Sequence, residues 1–212
     1  MRGIVAAAGT IFLLVAPPFA NAEDTAEWTT CISVTNSGAE RLAACTAVID
    51  SRAEAGRRLA GAYCIRGHEL TEKRELDAAL ADLNEAIKAD ATYACAFNNR
   101  GRAYGFKGDH DRAIADYTDA TRINPKSDIA YMRRSEAWLK KGDNLAALRD
   151  ADEAVNLDPN DAANYANRAA VMRALSRNDD AIADLRKGLT LKPNENRKRQ
   201  IEGALRELGA NP

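Results

Sequence analysis

The chain has 212 residues in which 30 lysines and arginines are set against 31 aspartates and glutamates, a formal net charge of −1 at neutral pH. So even a balance gives no electrostatic reason to bind nucleic acid or an anionic membrane surface. The only histidines are His68 and His110, and they come without a paired-histidine metal motif, a glycine-rich phosphate loop or a serine elbow, so neither an enzyme nor a metal or other cofactor is expected.

At the start, Arg2 precedes an apolar run from Ile4 to Ala16, and Ala20-Asn21-Ala22 precedes the acidic Glu23-Asp24. This pattern predicts a secretory signal peptide over 1–22, cut after Ala22. A membrane anchor is the weaker reading, because the run is shorter than the roughly 20 residues that span a bilayer and is broken by Pro17-Pro18. The mature chain is therefore expected to be soluble and periplasmic or secreted, with no membrane insertion.

Residues 23–59 read as a helical hairpin. Trp28 and Ile32 on one side, and Leu42, Val48 and Ile49 on the other, flank the turn cluster Asn36-Ser37-Gly38, where a glycine can take positive φ. Two helices are expected, over about 25–35 and 39–51. Cys31 lies seven residues before Gly38 and Cys45 seven after it, so an antiparallel hairpin sets them level. In an oxidising compartment that predicts a disulfide closing a loop of about 15 residues, the alternative being two buried thiols. This segment does not carry the period that follows, so it is expected to cap the array.

From residue 60 the chain repeats every 34 residues without insertion: 60–93, 94–127, 128–161 and 162–195. Counting places from the first residue of each unit, place 8 is small (Gly67, Gly101, Ser135, Ala169), as are place 20 (Ala79, Ala113, Ala147, Ala181) and place 27 (Ala86, Ala120, Ala154, Gly188). Place 4 is aromatic (Tyr63, Phe97, Tyr131, Tyr165) and place 11 is bulky (Leu70, Tyr104, Trp138, Met172). Large against small is what close helix packing requires. Each unit reads as helix A, a turn near place 15 with Asp109 and Asp143 as N-caps, and helix B. Helix B ends before Pro125, Pro159 and Pro193, residues suited to the start of the next helix; the first unit has Ala91 in the proline place. Ile201, Ala204, Leu205 and Leu208 make the apolar stripe of a capping helix over 196–212, whose Arg197, Lys198, Arg199 and Arg206 read as a solvated face.

The pattern resembles the tetratricopeptide repeat (TPR). The resemblance implies an all-α fold: a right-handed α-solenoid of four TPR helix hairpins between an N-terminal hairpin cap and a C-terminal capping helix.

Two features depart from the family's pattern. Place 7 is arginine in all four units and place 23 is aspartate, giving Arg66 and Asp82, Arg100 and Asp116, Arg134 and Asp150, Arg168 and Asp184. Both places lie eight residues from the turn, so each pair can form a structural clasp within its hairpin; the aspartate reaching the arginine of the following unit is the alternative. The second feature is Cys64 at place 5 of the first unit and Cys95 at place 2 of the second, a pair whose bridging depends on whether the side chains converge.

The family's architecture places residues 2, 5, 6, 9 and 12 of each helix A on the concave groove. Here these include Asn98, Asn99, Arg102, Met132, Arg133, Glu136, Asn167 and Arg173, with His68 also at a groove place and His110 at a packing place. Amides suit a peptide backbone, arginines a carboxylate, and Met132 with Ile129 and Leu139 an adaptable apolar floor. The family's known carboxylate clamp is incomplete: Asn99 and Arg133 are kept, but Cys64, His68 and Ile129 replace other members, so its ligand is not expected. The resemblance implies a non-enzymatic periplasmic scaffold binding a peptide or protein segment. The alternatives are a structural subunit stiffening an envelope assembly and an accessory domain of an enzyme system.

Overall fold

A computed structural model describes residues 25–211 as eleven α-helices, with no strand among the described residues. The signal-peptide assignment at 1–22 falls outside them. No helix among the described residues is long and apolar enough to cross a membrane.

The first hairpin is α1 (Ala26–Ile32) and α2 (Gly38–Ser51). Helix α1 stops three residues earlier than its apolar pattern suggests. The Ser33 hydroxyl oxygen accepts from the Thr35 amide, and this local bond competes with the helix ladder and holds Ser33 extended. Helix α2 starts on a capping box, in which the Ser37 hydroxyl accepts from Glu40 N and the Glu40 carboxylate accepts from Ser37 N. Gly38 is not the positive-φ turn residue the sequence suggests but the first residue of α2. Its missing side chain makes room for Glu69, whose carboxylate would collide with a Cβ there. Cys31 and Cys45 are bonded, Sγ–Sγ 2.08 Å, and fully buried with Val48 and Ala62. The hairpin is fastened to the next helix by the Arg41–Glu69 ion pair, at 2.5 Å.

Four helix pairs follow: α3 (Gly56–Glu72) with α4 (Leu76–Ala89), α5 (Ala94–Phe106) with α6 (His110–Ile123), α7 (Asp128–Lys141) with α8 (Asn144–Leu157), and α9 (Ala162–Ala174) with α10 (Asn178–Thr190). Helix α3 begins four residues before place 1, at Gly56. Place 15 is left-handed in every unit, with φ of 64° at Arg74, 79° at Gly108, 83° at Gly142 and 60° at Ser176. Only the middle two hold the residue that accepts this without cost. Asp109 and Asp143 then cap helix B, accepting from Arg112 N and Ala146 N.

The prolines do not open the next helix: α7 and α9 begin three residues beyond Pro125 and Pro159, after a turn. That turn is set by a side chain just before the proline place. Asn124 accepts from Lys126 N and Asp158 from Asn160 N, and in the first unit Asp90 accepts from Thr92 N. The same Asx turn therefore forms around Ala91 without a proline.

Small places let helices A and B touch. A Cβ at Gly67 would lie 2.8 Å from Leu83 Cγ, and one at Gly101 would lie 2.9 Å from Tyr117 Cε1. Each helix packs on the next, and the A helices α3, α5, α7 and α9 also touch one another in sequence, whereas consecutive B helices do not. The A helices thus form a continuous inner wall, the concave side of an α-solenoid. Helix α11 (Glu195–Glu207) closes it, burying Ile201 and Leu205 against Met172, Ala181 and Leu185.

Candidate functional site

The recurring arginines are built into the frame rather than offered to a ligand. In each hairpin Nε and Nη2 donate to both oxygens of its own aspartate: Arg66 to Asp82 at 2.7 and 2.8 Å, Arg100 to Asp116 at 2.9 and 2.7 Å, Arg134 to Asp150 at 2.8 and 2.7 Å, Arg168 to Asp184 at 2.8 and 2.8 Å. Nη1 reaches back to the preceding helix B, donating to Asn84 at 2.8 Å from Arg100, to Thr118 and Thr121 at 3.2 and 3.0 Å from Arg134, and to Asp152 at 3.0 Å from Arg168. Arg66 uses Thr46 of α2 in the same way. Each guanidinium also lies over the aromatic ring at place 4, between 5.3 and 5.7 Å from its centroid. One side chain therefore joins its own two helices to the helix before them. The hydrogen-bonded aspartate raises the pKa of each of these arginines, while burial raises that of Asp116 despite its partner.

Two adjoining pockets lie along the inner wall. The first, of about 190 Å³, opens between α5, α6 and α7. Phe106, Ala113, Tyr117 and Ala137 form its apolar wall, and Arg102, Arg133, Glu136 and Lys140 form its charged margin. Arg102 pairs with Glu72, holding that carboxyl below its ordinary range, and its Nη1 is 3.5 Å from His68 Nδ1. Arg133 has no hydrogen-bond or ion-pair partner among the described residues, and its Nε is shielded from solvent without an acceptor. Glu136 is exposed at the pocket rim, yet the helices crowding its carboxyl strip some of its water and raise its pKa, although Arg133, Arg197, Arg102 and Lys140 oppose the shift. The second pocket, about 370 Å³, lies between α7, α9 and α11, with Met132, Leu139, Ala166, Asn167, Arg197 and Gln200 around it and Glu136 and Lys140 shared with the first. The Asn167 side-chain oxygen is buried there without a donor.

Of the residues singled out from the sequence, Arg102, Arg133 and Glu136 meet in the first pocket and Met132, Glu136 and Asn167 in the second. Three stand apart. Arg173 is paired with Glu207 of α11 at 3.0 Å, Asn98 lines neither pocket, and Asn99 donates to the sulfurs of Cys64 and Cys95. His110, placed by its spacing in the packing, opens α6 and lines the first pocket. Sequence reasoning missed Phe106, Tyr117, Lys140 and Arg197. Lys140 follows Glu136 by one helical turn, a signal that was available. Arg197 turns toward the groove, whereas its neighbours Lys198 and Arg199 are exposed as expected. No cluster of metal-ligating residues occurs among the described residues.

Hairpins stacked edge to edge, with A helices inward and a ligand-sized groove along them, define a helical-repeat scaffold. The tetratricopeptide-repeat family model matches residues 60–93 and 96–127, the first two of the four helical units. The chain's fold is similar to a thermophilic TPR protein of Thermus thermophilus, with TM-score 0.68 and 17% identity over 79% of this chain and 90% of that one. It is also similar to MamA, with TM-score 0.62 and 16% identity over 73% and 88%. No curated protein matches the sequence.

Proposed function

We infer that the chain, a helical-repeat protein whose first two units match the tetratricopeptide-repeat model, is a scaffold for protein–protein interaction. We propose that it works in the periplasm, without catalysis, by holding a partner's peptide segment along the inner wall, with one apolar side chain in the first pocket beside an acidic group. The observation that carries this is Arg133, a cation with no hydrogen-bond or ion-pair partner among the described residues beside an apolar wall, when the repeating arginines are all committed to aspartates. A buried donor without an acceptor is costly, and a ligand carboxylate relieves that cost. Asn167, with an unmet oxygen, suits a backbone amide in the adjoining pocket. Export is supported by the pattern of residues 1–22 and by the Cys31–Cys45 bond, a feature of oxidising compartments. The test is capture of partners from periplasmic extract by the parent and by Arg133→Glu. Partners that bind both equally well do not use the groove, and the chain would then be read as a structural subunit.

A further inference from the structure

Cys64 and Cys95 are not bonded, yet their sulfurs stand 3.0 Å apart where α3 and α5 meet on the inner wall. The two are unlike. Cys64 is fully buried among Ala79, Leu83 and Ala96, while Cys95, the second residue of α5, is exposed. The Cys64 thiol points its hydrogen at Cys95, and the Asn99 amide donates to both sulfurs, at 3.2 Å to Cys64 and 3.5 Å to Cys95. Donors aimed at Cys95, at the first turn of a helix, favour its thiolate over that of Cys64. The direction of titration agrees: the bond from Cys64 lowers the Cys95 pKa, and the same bond raises that of Cys64. By contrast, Cys31 and Cys45 are already joined in a disulfide and fully buried, so they offer no thiol and no accessible sulfur for exchange.

We propose that Cys64 and Cys95 are a redox-active dithiol on the groove wall, oxidised by thiol–disulfide exchange with a small or protein disulfide, with Cys95 attacking and Cys64 resolving. The Cys95 thiolate attacks one sulfur of the incoming R–S–S–R. A Cys95–S–S–R bond forms, the R–S–S–R bond breaks, and the first RS⁻ leaves with the electron pair. Cys64 passes its proton to that thiolate and attacks Cys95 Sγ, expelling the second RS⁻, which takes up a proton from water. The protein loses two electrons and the oxidant ends as two RSH. The resulting bridge joins α3 to α5 and holds the inner walls of the first two hairpins together.

The purified protein is incubated with glutathione disulfide, quenched by alkylation and mapped by unreduced digestion and mass spectrometry. The expected product is a Cys64–Cys95 cross-link without a stable glutathione adduct. Cys64→Ala should hold one glutathione on Cys95, Cys95→Ala should hold none, and Cys95 should alkylate at least about tenfold faster than Cys64 in the reduced parent. A parent that retains glutathione on Cys95, or whose thiols both stay unoxidised, overturns the proposal even if a variant fails to fold. Glutathione on Cys64 in the Cys95→Ala variant overturns the assignment of roles.

Discussion

Replacing Arg134 by leucine strips Asp150 of both hydrogen bonds, at 2.8 and 2.7 Å, in a site where the aspartate is only 7% exposed. A buried carboxylate left without its cation typically costs about 3–5 kcal/mol. The other partners of Arg134 add little to the loss. The hydroxyls of Thr118 and Thr121 keep their own backbone acceptors, and leucine still covers the Tyr131 ring. In a chain of this size each kcal/mol moves Tm by about 2–4 °C, so Arg134→Leu should melt roughly 6–20 °C below the parent. Arg134→Leu combined with Asp150→Leu removes both charges and should return to within about 1 kcal/mol of the parent. Circular-dichroism melts and urea titrations of the parent, both single variants and the double variant close the cycle, with an expected coupling of about 3 kcal/mol or more. Single and double variants that melt alike would refute the reasoning, since the pair would then contribute no more than an exposed ion pair.

Gly101→Ala should lose about 1–2 kcal/mol, because its Cβ would press on the buried Tyr117 ring at 2.9 Å and on Ala113 O at 3.1 Å. Gly105→Ala on the same helix, with nothing within 4 Å, should gain about 0.5–1 kcal/mol, and urea midpoints of the two decide it. Ser176→Gly should stabilise by about 1 kcal/mol in the same assay, since φ there is 60°. Glu136 has a raised folded-state pKa, so its favourable contribution is complete below the unfolded value of 4.5 and is lost as pH rises through the folded one. Glu136→Gln should therefore melt higher than the parent near pH 7, with the gap closing at about pH 4. A constant gap across that range would count against the partial desolvation of this carboxyl.

The hairpins were legible because 34 residues recur without a break, so each place can be checked four times over. The departures come where local chemistry substitutes for the usual residue. Asp90 makes with its carboxylate the turn expected of a proline, and Ser33 ends α1 before its apolar pattern does. The groove was legible only in part. Places counted along helix A find Arg102, Arg133 and Asn167, which face inward whatever the neighbouring helices do. Tyr117 enters from helix B and Arg197 from the closing helix, so their membership depends on how the hairpins curve together. Asn99 shows the converse: it lies at a groove place, but its amide is already engaged by two sulfurs brought in from another repeat and its own first turn. The clasp's residues were legible by their spacing, but whether each aspartate meets the arginine of its own hairpin or of the following unit was not, and neither was the third bond to the preceding helix B. That bond depends on the offset between hairpins.

The most direct measurement of groove binding is quantitative capture of periplasmic partners by the parent, by Arg133→Glu and by Lys88→Glu, an identical charge reversal at an exposed position of α4. A charge-assisted hydrogen bond is worth about 1.5–3 kcal/mol, which corresponds to roughly 10–100-fold in affinity. Arg133→Glu should lose at least about tenfold in captured partner while Lys88→Glu captures as much as the parent, with unchanged circular dichroism in both. Equal capture by all three, or equal loss in both variants, would contradict a binding site on the inner wall.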